Sequence, residues 1–155
     1  MGYEFGNNKA ILGLVYGVVS DTKHPDGKYM AKVKLPWIMS TKVQDDADFL
    51  STWCRISTPM AGNKRGFYCL PEVDDEVIVA FVHGNINHPV IIGSLWNDVD
   101  KAPHAGEGPP DTTDPLGNAA GVADCKTDTS DGKNNARYFM SRQGSYMLFD
   151  DTAGK

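Results

Sequence analysis

With 155 residues, the chain has room for one ordinary domain and an appendage, and its length argues against two full domains. Its 16 glycines and 9 prolines lie among strand-rich stretches, which favours many short elements joined by turns and an all-β fold over long helices. A formal charge of -5, from 15 Lys and Arg against 20 Asp and Glu, opposes phosphate backbones and argues against nucleic acid as a partner.

The stretch 1–10 has no basic segment followed by an apolar run, and no segment approaches the ~18 apolar residues that would span a bilayer. The expectation is a cytoplasmic protein without signal peptide or transmembrane segment. Cys54, Cys69 and Cys125 are odd in number and form no CxxC pair, so neither a disulfide framework nor a structural zinc site is expected.

The run ILGLVYGVVS at 11–20 is short, β-branched and followed by the turn-rich stretch 21–27, which predicts a first strand and a hairpin. Residues 28–37 alternate. Tyr29, Ala31, Val33, Leu35 and Trp37 fall on one face and Lys28, Met30, Lys32 and Lys34 on the other, as in a half-buried strand. The polar stretch 40–51 reads as a surface loop or one short helical turn before a third strand at 52–58. Gly62 and Gly66 bracket Asn63, Lys64 and Arg65 in what reads as a protruding loop. The run EVIVAFVH at 76–83 is apolar on both faces, so it calls for a cover outside the barrel as well as inside. After a short turn at 84–88, PVIIGSLW at 89–96 forms the fifth strand. Five such strands, joined by hairpins and one longer connection, suit a small Greek-key barrel of the oligonucleotide/oligosaccharide-binding (OB) kind over residues 1–97.

The character then changes. Residues 97–135 hold four prolines, five glycines and many aspartates with almost no large apolar side chains, so 98–135 is predicted to be a linker. Alternation returns at 136–149, where Gln143, Gly144 and Ser145 form a turn between two strands. Two strands alone are marginal in water, and copies from neighbouring subunits would solve that problem. Residues 136–155 are therefore expected to form a short intertwined prism, with Tyr138, Met140, Tyr146 and Leu148 as its candidate core, or the opposite alternation in their place.

Several segments carry a family likeness. They include Gly17-Val18-Val19-Ser20-Asp21, Ala31 to Trp37, and Ser51-Thr52-Trp53-Cys54-Arg55-Ile56-Ser57-Thr58-Pro59-Met60-Ala61-Gly62. They continue with Arg65-Gly66-Phe67-Tyr68-Cys69-Leu70-Pro71-Glu72-Val73-Asp74-Asp75-Glu76-Val77 and Gly93-Ser94-Leu95-Trp96-Asn97. In order and spacing these resemble the OB domain of the VgrG and phage baseplate-assembly V spike proteins. Ser141 to Ser145 and Phe149 to Thr152 resemble that family's entry into its triple-stranded β-helix, with Ser145 standing where relatives often have histidine.

The resemblance implies a homotrimeric, non-enzymatic spike at the tip of a contractile injection system, capping the tube and piercing an envelope. The implied partners are baseplate hub and inner tube proteins. Because the sequence ends at Lys155 without a long needle, a separate tip protein of the PAAR kind is the expected cap. The target membrane would be met only on injection. No lysozyme domain fits between the two matching regions, so the bacteriolytic role of some relatives is not carried over.

Groups that suggest chemistry have plainer readings. His24, His83, His88 and His104 contain no His-x-His pair, and no metal or other cofactor is expected. The pairs Asp45/Asp46, Asp74/Asp75 and Asp150/Asp151 are adjacent in sequence and suit turns rather than carboxylates facing across a sugar. Trp53, Arg55, Lys64, Arg65, Phe67 and Tyr68 form the one basic and aromatic constellation. On an OB barrel it could stack single-stranded bases; the alternative, favoured by the acidic total, is a subunit or hub interface. Val77, Val79 and Phe81 of the doubly apolar strand join that candidate interface.

Overall fold

The computed structural model describes residues 4–5, 8–37, 49–100, 136–143 and 145–151. The chain divides into two compact units, residues 1–100 and 101–155. Among its described residues the first contains ten strands: β1 (Glu4–Phe5), β2 (Asn8–Lys9), β3 (Leu14–Asp21), β4 (Met30–Leu35), β5 (Phe49–Leu50), β6 (Cys54–Ile56), β7 (Ala61–Gly62), β8 (Arg65–Gly66), β9 (Glu76–Phe81) and β10 (Pro89–Leu95). The second contains β11 (Ala136–Met140) and β12 (Tyr146–Asp150).

The five long strands foreseen in the sequence are β3, β4, β6, β9 and β10. They run in the order β3-β9-β10-β6-β4, and β3 pairs back onto β4 to close the barrel. All these pairings are antiparallel except β6 with β10, which are parallel. Parallel neighbours need a long crossover. Here it runs from Ser57 to His88: the chain leaves β6, forms an arm over Ser57 to Asp75, passes through β9 and returns as β10. This is the closed OB-type barrel that the sequence predicted.

The strand pleat decides the core. Ala31, Val33 and Leu35 of β4 and Val77, Val79 and Phe81 of β9 point inward, with Val19, Cys54 and Ile91, and all are buried. Gly17 lies on the inner side of β3 where β4 crosses closest. A Cβ there would sit 2.3 Å from Val33 Cγ1 and 2.8 Å from the Lys34 carbonyl. Among the described residues Ser51 is the buried polar one, and it extends the β4 ladder beyond β5. Its N–H donates to the Val33 carbonyl at 2.9 Å, and its hydroxyl accepts the Val33 N–H at 3.0 Å. The same hydroxyl donates to the Thr52 carbonyl at 2.7 Å, so burial leaves it satisfied.

Strand ends differ from the predicted ones where the backbone turns. Gly13, at φ 92, delays β3 to Leu14, and His83, at φ 53, breaks β9 into a short 3-10 turn at Val82–Gly84. The loop predicted at 40–51 lies outside the described residues up to position 48. Of the predicted linker, 101–135 also lies outside them; before it, the Asn97 side chain accepts the N–H groups of Val99 and Asp100 at 2.8 and 2.7 Å and turns the chain.

Candidate functional site

The crossover after β6 builds a pinned arm. Strands β7 and β8 pair across a tight turn in which Lys64 has φ 58. Gly66, at φ 154, has no room for a Cβ, which would lie 2.6 Å from the Met60 carbonyl. At the base, the Thr58 hydroxyl donates to the Phe67 carbonyl at 2.7 Å, and the Phe67 N–H donates to the Met60 carbonyl at 2.9 Å. Tyr29 fixes the return strand from the other side. Its hydroxyl donates to the Cys69 carbonyl at 2.6 Å and accepts the Cys69 N–H at 3.1 Å. Its ring meets Tyr68 at 4.8 Å between centroids, tilted by 45°. The result is an open cleft of about 470 Å³ bordered by Tyr29, Met60, Lys64, Arg65, Phe67 and Tyr68. Tyr68 is 76% exposed, so the arm offers a rigid aromatic and cationic surface.

The predicted basic and aromatic constellation is thus divided. Lys64, Arg65, Phe67 and Tyr68 gather on the arm, together with Tyr29 and Met60, which sequence reasoning missed because strand alternation assigned Tyr29 to the interior. Trp53 belongs to a separate group. His24 lies 4.7 Å from its ring, and the Lys32 ammonium lies 5.0 Å from its centroid, a cation–π distance. Arg55 is exposed on β6, in register with Met30 of β4 and Val90 of β10.

Val77, Val79 and Phe81 require a correction. They were candidate interface residues, but they are 0%, 0% and 7% exposed and line the barrel interior. The outward side chains of β9 are instead Ile78 and Ala80, half-buried between Tyr16 and Leu14 of β3 and Val90 of β10. Closing the barrel turns the odd positions of β9 inward, a choice that a strand apolar on both faces leaves open.

In the second unit, β11 and β12 form the hairpin expected at 136–149. Tyr138 faces Leu148, Phe139 faces Met147 and Met140 faces Tyr146. Directly opposed residues share a face. One face therefore carries Tyr138, Met140, Tyr146 and Leu148, the candidate prism residues, and the other carries Phe139, Met147, Phe149 and Arg137. Tyr138, Met140 and Leu148 are half-buried, and burial pushes the Tyr138 phenol above its ordinary pKa. Arg137 pairs with Asp151.

Several reactive groups among the described residues serve turns and core. Asp74, at φ 78, shapes the turn before β9, and the Asp75 carboxylate accepts the Glu72 N–H at 2.8 Å. His83 lies within the 3-10 turn and His88 between that turn and β10, and both are exposed. Cys54 is buried beside Ser51 at 3.2 Å; burial pushes its thiol up, a shift that the Ser51 contact partly offsets. A thiol so placed is a packing residue rather than a nucleophile. Among the described residues no three His, Cys, Asp or Glu side chains gather as a metal would require. No helix among them is long and apolar enough to cross a membrane.

Residues 15–96, which run from β3 to just past β10, match the family described as the type VI secretion system/phage-baseplate injector OB domain. The chain belongs to this family. The injector OB domain also resembles longer curated proteins. It is 28% identical over 95 residues to the type VI secretion system spike protein VgrG3 of Vibrio cholerae, a match covering 61% of the chain and 9% of that protein. It is 28% identical over 91 residues to the spike protein VgrG5 of Pseudomonas aeruginosa, covering 59% and 11%. It is 29% identical over 94 residues to the actin cross-linking toxin VgrG1 of Vibrio cholerae, covering 61% and 8%. The chain spans about a tenth of the length of these relatives.

Proposed function

We propose that the chain is a structural component of the central spike of a contractile injection system, three copies of which cap the tube and are driven into a target envelope. The observation that carries this reading is the family match over the whole closed barrel, residues 15–96. A barrel whose strands pair all the way round has no free edge to fray under load. The pinned arm, with Lys64, Arg65, Phe67 and Tyr68, is the surface offered to a neighbouring subunit or to the baseplate hub. Inner tube proteins and a PAAR-like tip protein are further partners in this reading. The role is mechanical rather than enzymatic, in keeping with acidic and thiol groups that serve turns and core.

Light scattering on the purified chain tests it. The expected mass is about three times the 16.9 kDa of one chain. A single-chain mass at micromolar concentration, unchanged by added hub protein, would overturn the proposal.

The arm also favours a second reading, an OB module for nucleic acid, because Tyr68 and Tyr29 with Lys64 and Arg65 resemble a stacking platform. The charge of -5 per chain opposes it. Anisotropy of a labelled single-stranded DNA or RNA is therefore expected to stay flat at physiological salt; a sub-micromolar Kd would put nucleic acid first.

A further inference from the structure

We propose that the cleft of the arm receives a short extended peptide segment in which a carboxylate side chain neighbours an apolar one. This inference rests on the reading of the arm as a contact surface of the spike and names the chemistry of what that surface takes.

The polar groups of the cleft sort into spent and available. The Thr58 hydroxyl is used on the Phe67 carbonyl and the Tyr29 hydroxyl on the backbone of Cys69, so both hold the arm together. What remains is positive charge. Lys64 and Arg65 are exposed on the cleft, none of its lining residues is acidic, and among the described residues no carboxylate pairs with either. Beside them lie apolar surfaces, the Tyr68 ring at 76% exposure and Met60 at 53%. An anion with an apolar neighbour complements that set. A carboxylate fits the planar guanidinium fork, and an apolar side chain fits the tilted Tyr29 and Tyr68 rings.

Local geometry singles out both cations. Lys64 sits at φ 58, a conformation that glycine or asparagine adopts more readily, yet the tip carries a cation there. The Arg65 guanidinium lies against Gly62, its cross-strand partner: a Cβ on Gly62 would come within 2.9 Å of Cζ and 3.1 Å of Nε. A cleft of about 470 Å³ is in the range that small ligands fill, so it suits a short segment rather than a folded domain. A long polyanion is the poorer occupant, because the return toward β9 carries Glu72, Asp74 and Asp75 and the chain as a whole has a charge of -5.

The test pans a display library of random heptapeptides on the full chain. Arg65→Gln, Lys64→Gln and Gly62→Ala are the variants, and Lys23→Gln, which removes an exposed cation outside the cleft, is the control. All three tryptophans, Trp37, Trp53 and Trp96, lie in the barrel unit, so their fluorescence reports separately that the barrel is folded. The selected peptides are expected to carry Asp or Glu beside a Leu, Met or aromatic residue. One of them, synthesised with a fluorescent label, is expected to lose about 10–100-fold in affinity with Arg65→Gln or Lys64→Gln, or when its own carboxylate becomes an amide, as for a hydrogen bond to a charged group. Gly62→Ala, which keeps the charge and displaces the guanidinium, is expected to give a smaller loss, and Lys23→Gln none. No enrichment, a pool without carboxylates, or a peptide whose affinity Arg65→Gln and Lys64→Gln leave unchanged overturns the inference. Displacement of the peptide by single-stranded DNA or inorganic phosphate at a lower concentration than by unlabelled peptide overturns it equally. A three-chain mass in light scattering alongside any of these results overturns this inference alone, whereas a single-chain mass overturns the spike reading on which it rests.

Discussion

Replacing Gly17 by alanine is expected to lower the melting temperature of the barrel by roughly 5–20 °C. The added Cβ would sit 2.3 Å from Val33 Cγ1, 2.8 Å from the Lys34 carbonyl and 2.9 Å from Leu35 Cδ2. Val33 and Leu35 are fully buried, and the third neighbour is backbone, so none of the three can swing aside. Relief must come from opening the β3–β4 seam that closes the barrel. Overpacking of this kind costs about 1–3 kcal/mol, and each kcal/mol moves the melting point of a domain this size by about 4–8 °C. Gly93→Ala is the control. A Cβ there meets open space and its backbone is not left-handed, so the substitution should be neutral or raise stability by up to about 1 kcal/mol through the unfolded chain. Thermal denaturation followed by circular dichroism, at one fixed protein concentration, reads both. Equal melting temperatures for Gly17→Ala and the unaltered chain would mean that the seam does not hold the barrel shut.

In the proposed trimeric spike, deleting residues 136–155 is expected to leave the barrel folded and to separate the three copies. Burial of one large apolar side chain is worth roughly 1.5–3 kcal/mol. Several such side chains of the hairpin, once buried between copies, would change the dissociation constant by about a thousandfold or more. The barrel should be indifferent, because its core of Val19, Val33, Leu35, Val77, Val79 and Ile91 draws on residues 1–100 alone. Sedimentation of the shortened chain checks the mass, and tryptophan emission checks the fold. A shortened chain that still sediments as three copies would place the trimer contacts in the barrel and reduce the hairpin to an appendage.

The arm shows where sequence reasoning stops. Residues 59–68 were legible as a protruding loop because glycines flank a basic tip. Its rigidity was not, because it comes from the Tyr29 hydroxyl bonding the backbone of Cys69, 40 residues away. Trp53 and Tyr68 looked like one aromatic cluster on composition, yet they sit with different neighbours, His24 and Lys32 in one case and Tyr29 in the other.

Alternation by itself determined the inward set of β4, since only one of its faces is apolar and the other carries Lys32 and Lys34. The turn residues and family motifs likewise determined the five-strand order of elements and the OB class. Only the tertiary structure decided the orientation of β9, with Val77, Val79 and Phe81 inside, and separated the exposed from the half-buried face of the hairpin. The reason is the same in both places. A period of two defines two faces, and where both are apolar the pattern is silent on which one is buried until neighbouring strands pair and close.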